Sequence, residues 1–210
     1  MDLRDKKGLV IFVRHGQTDW NTKGLMQGRE DIPLNETGLK QAWQTAIGIK
    51  KACDVTGIVF DKVVSSPLAR AKVTGEMIAQ QIGCGNFWCD ERVTERDFGE
   101  LSGSAYDKNS AAITGDVDEF PTLERVSNLV KRVDEFILDT AMENENLLVV
   151  THGAVTRIYA DNAEKKEGYA ITDPFLQNCH LVVYEFKGGR AALAGYNISS
   201  DGLDKFLEGK

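Results

Sequence analysis

Gly8-Leu9-Val10-Ile11-Phe12-Val13, followed at once by Arg14-His15-Gly16, is the stretch whose reading decides the fold. Six uncharged, mostly β-branched or aromatic residues without alternation predict a strand buried on both faces, as in a parallel sheet covered by helices. A second such run, Leu147 to Thr151, ends in the same way, at His152-Gly153. Between and around these runs the pattern alternates. Leu39 to Ala52 reads as a helix, Lys62 to Ser65 as a short strand, and Ser66-Pro67 as the opening of a helix that runs to about Ile82, with a hydroxyl at the N-cap and proline at the first helical position. Leu123, Val126, Leu129, Val130, Val133 and Ile137 recur at helical spacing and share one face, and Gly153 to Asn162 reads as another helix. His180 to Phe186 and Ala191 to Ile198, split by Lys187-Gly188-Gly189, read as an antiparallel hairpin. The sum is an α/β fold with a largely parallel sheet and an antiparallel edge. The last dozen residues read as a tail.

Composition bounds the rest. A chain of 210 residues that is 42% apolar can bury a substantial core, which argues against disorder and for one domain, with a short lid-like insertion at 102–121 where the sequence turns polar, acidic and aperiodic. No run approaches the roughly 20 apolar residues that span a bilayer. Met1 to Lys7 alternates charges and lacks a secretory core, so a cytoplasmic location is expected, and the sequons at Asn35 and Asn197 then carry no meaning. Cys53, Cys84, Cys89 and Cys179 show no C-x-x-C pairing and read as reduced thiols. A net charge of −7 disfavours nucleic acid and acidic membranes as partners, so any anion site must be made by a few concentrated cations.

Two of the three histidines, His15 and His152, stand just past a core strand and just before a glycine. In open α/β sheets ligands bind at the carboxyl ends of the strands, and glycine lets the backbone approach a ligand closely. Either histidine alone reads as an ordinary strand-end residue; the pair points to a site. Arg14 beside His15 repels a metal cation and suits bidentate contact with phosphate. Arg70 lies in the first turns of a helix, where the dipole disfavours a cation unless an anion compensates, although an exposed arginine in solvent fits the segment equally. His180, at the start of an apolar strand, reads as structural. Trp20, Trp43 and Trp88 read as core or pocket wall. The sequence contains neither a G-x-x-x-x-G-K-[ST] phosphate loop nor a G-x-G-x-x-G dinucleotide fingerprint.

Val13-Arg14-His15-Gly16-Gln17-Thr18 with Asn21, then Ser65-Ser66-Pro67-Leu68-Ala69-Arg70-Ala71, Glu95-Arg96-Asp97-Phe98-Gly99-Glu100 and Val150-Thr151-His152-Gly153 together resemble, in order, the motifs of the histidine phosphatase superfamily, which includes cofactor-dependent phosphoglycerate mutases and many small phosphatases. The resemblance implies a three-layer α/β/α sandwich of the phosphoglycerate mutase type. It implies His15 as the nucleophile that carries the phosphoryl group, and Arg14, Arg70, Asn21 and His152, with the backbone N–H of Gly153 or Ala154, as the cage around that group. Glu95 is implied as general acid and then base. Gln27 and Gly28 fall in a segment similar to the family's phosphate-contacting loop, though a plain turn fits them too, and Thr18 is a further candidate for the site wall. No metal and no cofactor are implied.

The same core can deliver its phosphoryl group to water or to a hydroxyl of a bound acid. In the family's mutases a long basic insertion before the second histidine holds the phosphoglycerate carboxylate. Here 56 residues (96–151) separate Glu95 from His152, and the loop offers Asp107, Asp116, Asp118 and Glu119 against Lys108 alone. Gln17 stands where those mutases have glutamate, and Leu101-Ser102-Gly103 departs from the tryptophan-containing form of related phosphatases. The expectation is a phosphomonoester phosphatase acting on a small phosphorylated metabolite, as a monomer or homodimer. Phosphoglycerate mutase is the alternative, and a non-catalytic phosphate-binding protein a further one. A His-ligated metal hydrolase does not fit the flanking arginines.

Overall fold

The computed structural model describes residues 8–106, 111–142, 145–165 and 176–208. Met1 to Lys7, and Asp107 and Lys108 of the expected lid, lie outside them. The elements run β1 (Gly8–Arg14), α1 (Asp19–Thr22), α2 (Glu36–Thr56), β2 (Lys62–Ser65), α3 (Ala69–Ile82), β3 (Phe87–Cys89), α4 (Val126–Thr140), β4 (Leu147–Thr151), α5 (Gly153–Asn162), β5 (Glu164–Lys165), β6 (Leu181–Lys187), β7 (Arg190–Ile198) and α6 (Leu203–Glu208), with short 3₁₀ turns between. Among the described residues these strands form one sheet in the order β3-β2-β4-β1-β6-β7-β5. From β3 to β1 the pairings are parallel, and β6 then joins β1, and β7 joins β6, antiparallel.

Alternation along β1 explains the layers. Val10 and Phe12 face a core built with Leu129, Phe136 and Ile158 of α4 and α5, whereas Ile11 and Val13 face Ile49, Ile78 and Leu203 of α2, α3 and α6. All are at most 1% exposed, so the strand is buried on both sides, as an unbroken apolar run requires. Phe12, Tyr159 and Tyr184 stack and meet edge-on at 5.2–5.6 Å, adding about 0.5–1.5 kcal/mol per pair beyond area burial. The expected fold class is the observed one. No described helix is long and apolar enough to cross a membrane.

Five local expectations need correction, two of them at single residues: Leu123 precedes α4, which starts at Val126, and Trp43 of α2 is half exposed rather than core or pocket wall. The helix opened by Ser66-Pro67 starts two residues later, at Ala69. The Ser66 N–H still donates to the Val150 carbonyl at 2.9 Å, which continues the β2–β4 ladder past Ser65, and the Leu68 carbonyl takes the first helical bonds. The helix expected over Leu39 to Ala52 is longer at both ends, because Asn35 Oδ1 accepts from the Gly38 N–H at 2.8 Å and Gly57 closes it at φ 74. The expected tail is a packed helix: Leu203 and Leu207 are buried, and Asp204 pairs with Lys51 of α2 at 2.6 Å.

Candidate active site

The carboxyl ends of four adjacent parallel strands deliver the candidate residues to one place. β1 runs out into Arg14 and His15, β4 into His152, β2 into the turn before Arg70, and β3 into the turn before Glu95. Because Arg14 pairs with Thr151 in register, and the His15 N–H donates to the Thr151 carbonyl at 3.0 Å, the next residues of the two strands are neighbours. The rings of His15 and His152 accordingly lie 5.2 Å apart, tilted by 59°.

The cavity at this end encloses about 520 Å³ and is lined by Arg14, His15, Asn21, Gln27, Arg70, Glu95, Gly153 and Ala154, among others. His152 sits beneath this wall, and Gly28 lies behind Arg70. His15 Nδ1 is 2.7 Å from the Gly16 carbonyl, so Nδ1 carries the proton and Nε2 keeps its lone pair. Burial, then the charges of Arg70 and Arg14, push His15 well below the usual histidine range, against a small upward pull from the Gly16 carbonyl. Burial, Arg70 and His15 do the same to His152.

The cations are held from behind and open toward the cavity. Arg70, with no solvent exposure, donates from Nη1 to the Glu30 carbonyl (2.6 Å) and from Nη2 to the Gly28 carbonyl (2.8 Å), while its Nε has no partner. Burial lowers its pKa to about 10, opposed by Glu95 and Asp31, so it stays charged at neutral pH. Arg14 donates from Nη1 to the Leu176 carbonyl at 2.5 Å, and its Nε is likewise unpartnered. Both ring nitrogens of His152 lack partners too. Buried polar atoms left unsatisfied cost about 1–3 kcal/mol each, and the Nε–H groups of the two arginines with the one N–H of a neutral His152 ring are donors that suit an oxyanion. Among the described residues no three His, Cys, Asp or Glu side chains cluster as metal ligands.

Glu95 is 7% exposed and sits at the N-terminus of α5. Its Oε1 accepts from the N–H groups of Arg96 (2.9 Å) and Val155 (3.2 Å), and Oε2 from Ala154 (3.4 Å). The Ala154 N–H, expected to face the phosphate, is therefore occupied by the carboxylate. Gln27 and Gly28 act mainly by position: Gln27 Oε1 takes the Thr18 hydroxyl at 3.0 Å, and Gly28, at φ 52, turns its carbonyl onto Arg70. Asn21 Oδ1 is turned to Thr18 and Asn178, which leaves its amide NH₂ as the donor for a ligand. Asn178 escaped the sequence reading. Its Nδ2 donates to the His15 carbonyl at 3.0 Å, bracing the histidine loop, but it sits in an irregular segment with no motif around it.

Gly16 and Gly38 brace that loop from the other side by backbone contact. A Cβ on Gly38 would stand 2.0 Å from the Gln17 carbonyl oxygen, and one on Gly16 would stand 2.4 Å from the Gly38 carbonyl oxygen. Backbone cannot yield as a side-chain tip can. Gly38→Ala is expected to cost about 1–3 kcal/mol, as overpacking does, and to lower turnover at least about tenfold by shifting His15. Urea denaturation and steady-state rates measure both, and a silent substitution contradicts the bracing role.

Residues 10–199 match the family profile described as histidine phosphatase superfamily (branch 1), and the chain belongs to that superfamily. Among its relatives, "uncharacterized phosphatase PhoE" of Bacillus subtilis (strain 168) is 33% identical over 198 residues, covering 91% of this chain and 95% of the relative. A 2,3-bisphosphoglycerate-dependent phosphoglycerate mutase of Parvibaculum lavamentivorans is 28% identical over 200 residues, covering 86% and 92%. Among solved structures, phosphoserine phosphatase from Entamoeba histolytica in complex with 3-phosphoglyceric acid superposes with TM-score 0.68 at 25% identity, over 91% of this chain and 98% of that one. A phosphoglycerate mutase from Bacillus anthracis str. Sterne shares the fold, with TM-score 0.76 at 18% identity over 99% and 98%.

Proposed function

We propose that the protein is a phosphomonoester phosphatase that works through a phosphohistidine on His15 and needs no metal. The observation that carries this reading is the pairing of a neutral imidazole, its Nε2 free, with unpartnered buried nitrogens of Arg14 and Arg70, which line the same cavity, and of His152, whose ring lies 5.2 Å from that of His15. Nε2 attacks phosphorus in line, the P–O bond to the alcohol breaks, and protonated Glu95 gives its proton to the departing oxygen. Glu95 then takes a proton from water, whose oxygen attacks phosphorus as the P–N bond breaks and inorganic phosphate leaves. The arginines hold the equatorial charge throughout, the role a divalent cation has in other phosphoryl-transfer sites.

Water as the acceptor is supported by the segment between Glu95 and α4. Its described acids are not replaced by bases: Asp116 takes Arg96 and the Val126 N–H, and Asp118, itself exposed, pairs with Arg125. One further cation reaches the wall. Arg157 lies one turn along α5 from Gly153, with Nε and Nη1 outside hydrogen-bond alignment even though Asp161 Oδ2 is 2.9 Å from Nε. The lining also includes Leu25, Met26, Phe98 and Tyr106. Together they suit a leaving group with an apolar body and one distal anionic group.

Mutase activity is the second reading, favoured by the relatives that bear that name. Phosphate release measured across metabolite classes in excess chelator tests the first. Loss of activity restored by a divalent metal contradicts it, and rapid 2-phosphoglycerate formation from 3-phosphoglycerate with a bisphosphoglycerate primer decides for the second.

The two neutral histidines carry a stability cost in acid. An unfolded chain takes up protons on both imidazoles as pH falls through about 6.5, whereas in the fold burial and the arginines keep both neutral well below that value. The unfolded state then binds more protons, so stability falls with decreasing pH, with a slope that rises through about pH 6.5 toward a limit of about 1.4 kcal/mol per pH unit for each histidine. Urea midpoints between pH 7 and 5.5 are expected to show this slope, reduced by half of the pair's share in His152→Asn. An unchanged slope in that variant contradicts the neutral assignment.

A further inference from the structure

Glu124 lies outside the cavity wall, yet it gathers most of the polar contacts that hold the Glu95 loop. Its Oε1 accepts from Arg132 Nε at 2.8 Å and its Oε2 from Arg132 Nη2 at 3.1 Å, a bidentate pair, and Oε2 also accepts from the Asp97 N–H at 3.1 Å. Its own N–H donates to the Asp97 carbonyl at 2.9 Å, and its carbonyl accepts both Nε (2.8 Å) and Nη2 (2.6 Å) of fully buried Arg96. Arg132 in turn donates to the carbonyls of Arg92 (2.6 Å) and Glu95 (3.3 Å), spanning the turn that delivers Glu95. Burial alone pushes the Glu124 carboxyl up, but the hydrogen bonds and charge of Arg132, with the Asp97 N–H and Arg29, hold it below the usual glutamate range.

The same hub touches the other half of the site. Arg29 Nη2 lies 3.9 Å from Glu124 Oε1 and its Nε 3.9 Å from Asp97, and the carbonyls on either side of Arg29, those of Gly28 and Glu30, are the ones that grip Arg70. The pair Glu124–Arg132 is only 10% and 14% exposed, in the range where charge-assisted bonds exceed the small value of surface ion pairs. An interaction network of this density at a loop that carries no catalytic group of its own has one mechanical consequence: it fixes where residue 95 stands.

We propose that Glu124 is a positioning residue for proton transfer, which through Arg132, Arg96 and Asp97 holds the Glu95 carboxyl at the distance from the leaving oxygen that protonation requires. This rests on the reading of Glu95 as the general acid. Loosening the hub displaces the acid first, because Arg132 and Arg96 bond the Glu95 turn and Glu124 directly, whereas Arg29 reaches Glu124 only at 3.9 Å and Arg70 keeps its own bonds to the Gly28 and Glu30 carbonyls. Displacements of about 1 Å cost up to about 10²-fold in rate.

The test is a leaving-group series. An aryl phosphate such as p-nitrophenyl phosphate departs with little help from an acid, whereas an alkyl phosphate such as glycerol phosphate depends on it. Glu124→Ala is expected to lose about tenfold or more of kcat/KM, which reports only the step that breaks the P–O bond, on the alkyl substrate while retaining most of it on the aryl one, with Glu124→Gln in between. Glu124→Gln also keeps one acceptor for the Asp97 N–H, so it remains informative if the alanine variant unfolds; melting curves establish folding for each. Equal losses of kcat/KM on both substrates in the folded variants overturn the proposal, because a merely structural role lowers both alike. Glu95→Gln is the control. If it shows the leaving-group dependence and the Glu124 variants do not, the positioning role falls alone; if it shows none, the acid assignment falls and takes the inference with it.

Discussion

His15→Ala is expected to abolish phosphate release, by at least about 10³-fold, while the purified protein keeps its fold. The imidazole contributes one hydrogen bond to structure, from Nδ1 to the Gly16 carbonyl, worth about 1 kcal/mol. Against that loss stands relief, since a buried neutral ring flanked by two guanidinium groups and a second histidine is not a comfortable packing unit. Removing it takes away the covalent step itself, and water without a positioned nucleophile does not replace it. Steady-state rates beside thermal melts give both numbers. A variant that turns over as the parent does removes His15 from the chemistry.

Arg70→Met has the second largest expected effect, and it is twofold. Its Nε has no partner while Nη1 and Nη2 grip the Glu30 and Gly28 carbonyls, so a side chain that lines the cavity also anchors a loop. Loss of one preorganised donor to a transition-state oxyanion costs about 10²–10³ in rate. Two carbonyls left without donors add about 1–3 kcal/mol each in stability. Arg70→Lys restores the charge but not the fork, so it is expected to recover little. The decline should appear in kcat/KM and in weaker inhibition by inorganic phosphate; a change below about threefold in both contradicts an anion-binding Arg70.

Much of this architecture was legible in the chain because strand and helix patterns here agree with tertiary demand. Gly8 to Val13 and Leu147 to Val150 read as doubly buried strands, and they are the central pair of the sheet. What escaped was short or capped by position. β3, three residues at the sheet edge, and β5, two residues long, carry too little pattern to register, yet the turn after β3 places Glu95. α6 repeats apolar residues at Leu203, Phe206 and Leu207, a spacing that could have been read as one buried face. At the site, motif residues came together at the strand ends as their order implied, but how they are held did not follow from order. That Gly28 serves Arg70 by its carbonyl, that Ala154 gives its N–H to Glu95, and that Glu124 and Asn178 brace the loops are facts of folded geometry between residues far apart in sequence.

The claim beneath all of this is that His15 Nε2 forms a bond to phosphorus. Rapid quenching of the protein with labelled substrate under alkaline conditions, where phosphoramidates survive, followed by mass spectrometry of the peptide containing Val13-Arg14-His15-Gly16, tests it most directly. The account predicts one phosphoryl group on His15, formed and discharged at rates consistent with turnover and absent from His15→Ala. A label on any other side chain, or brisk turnover with no labelled protein at any quench time, contradicts it.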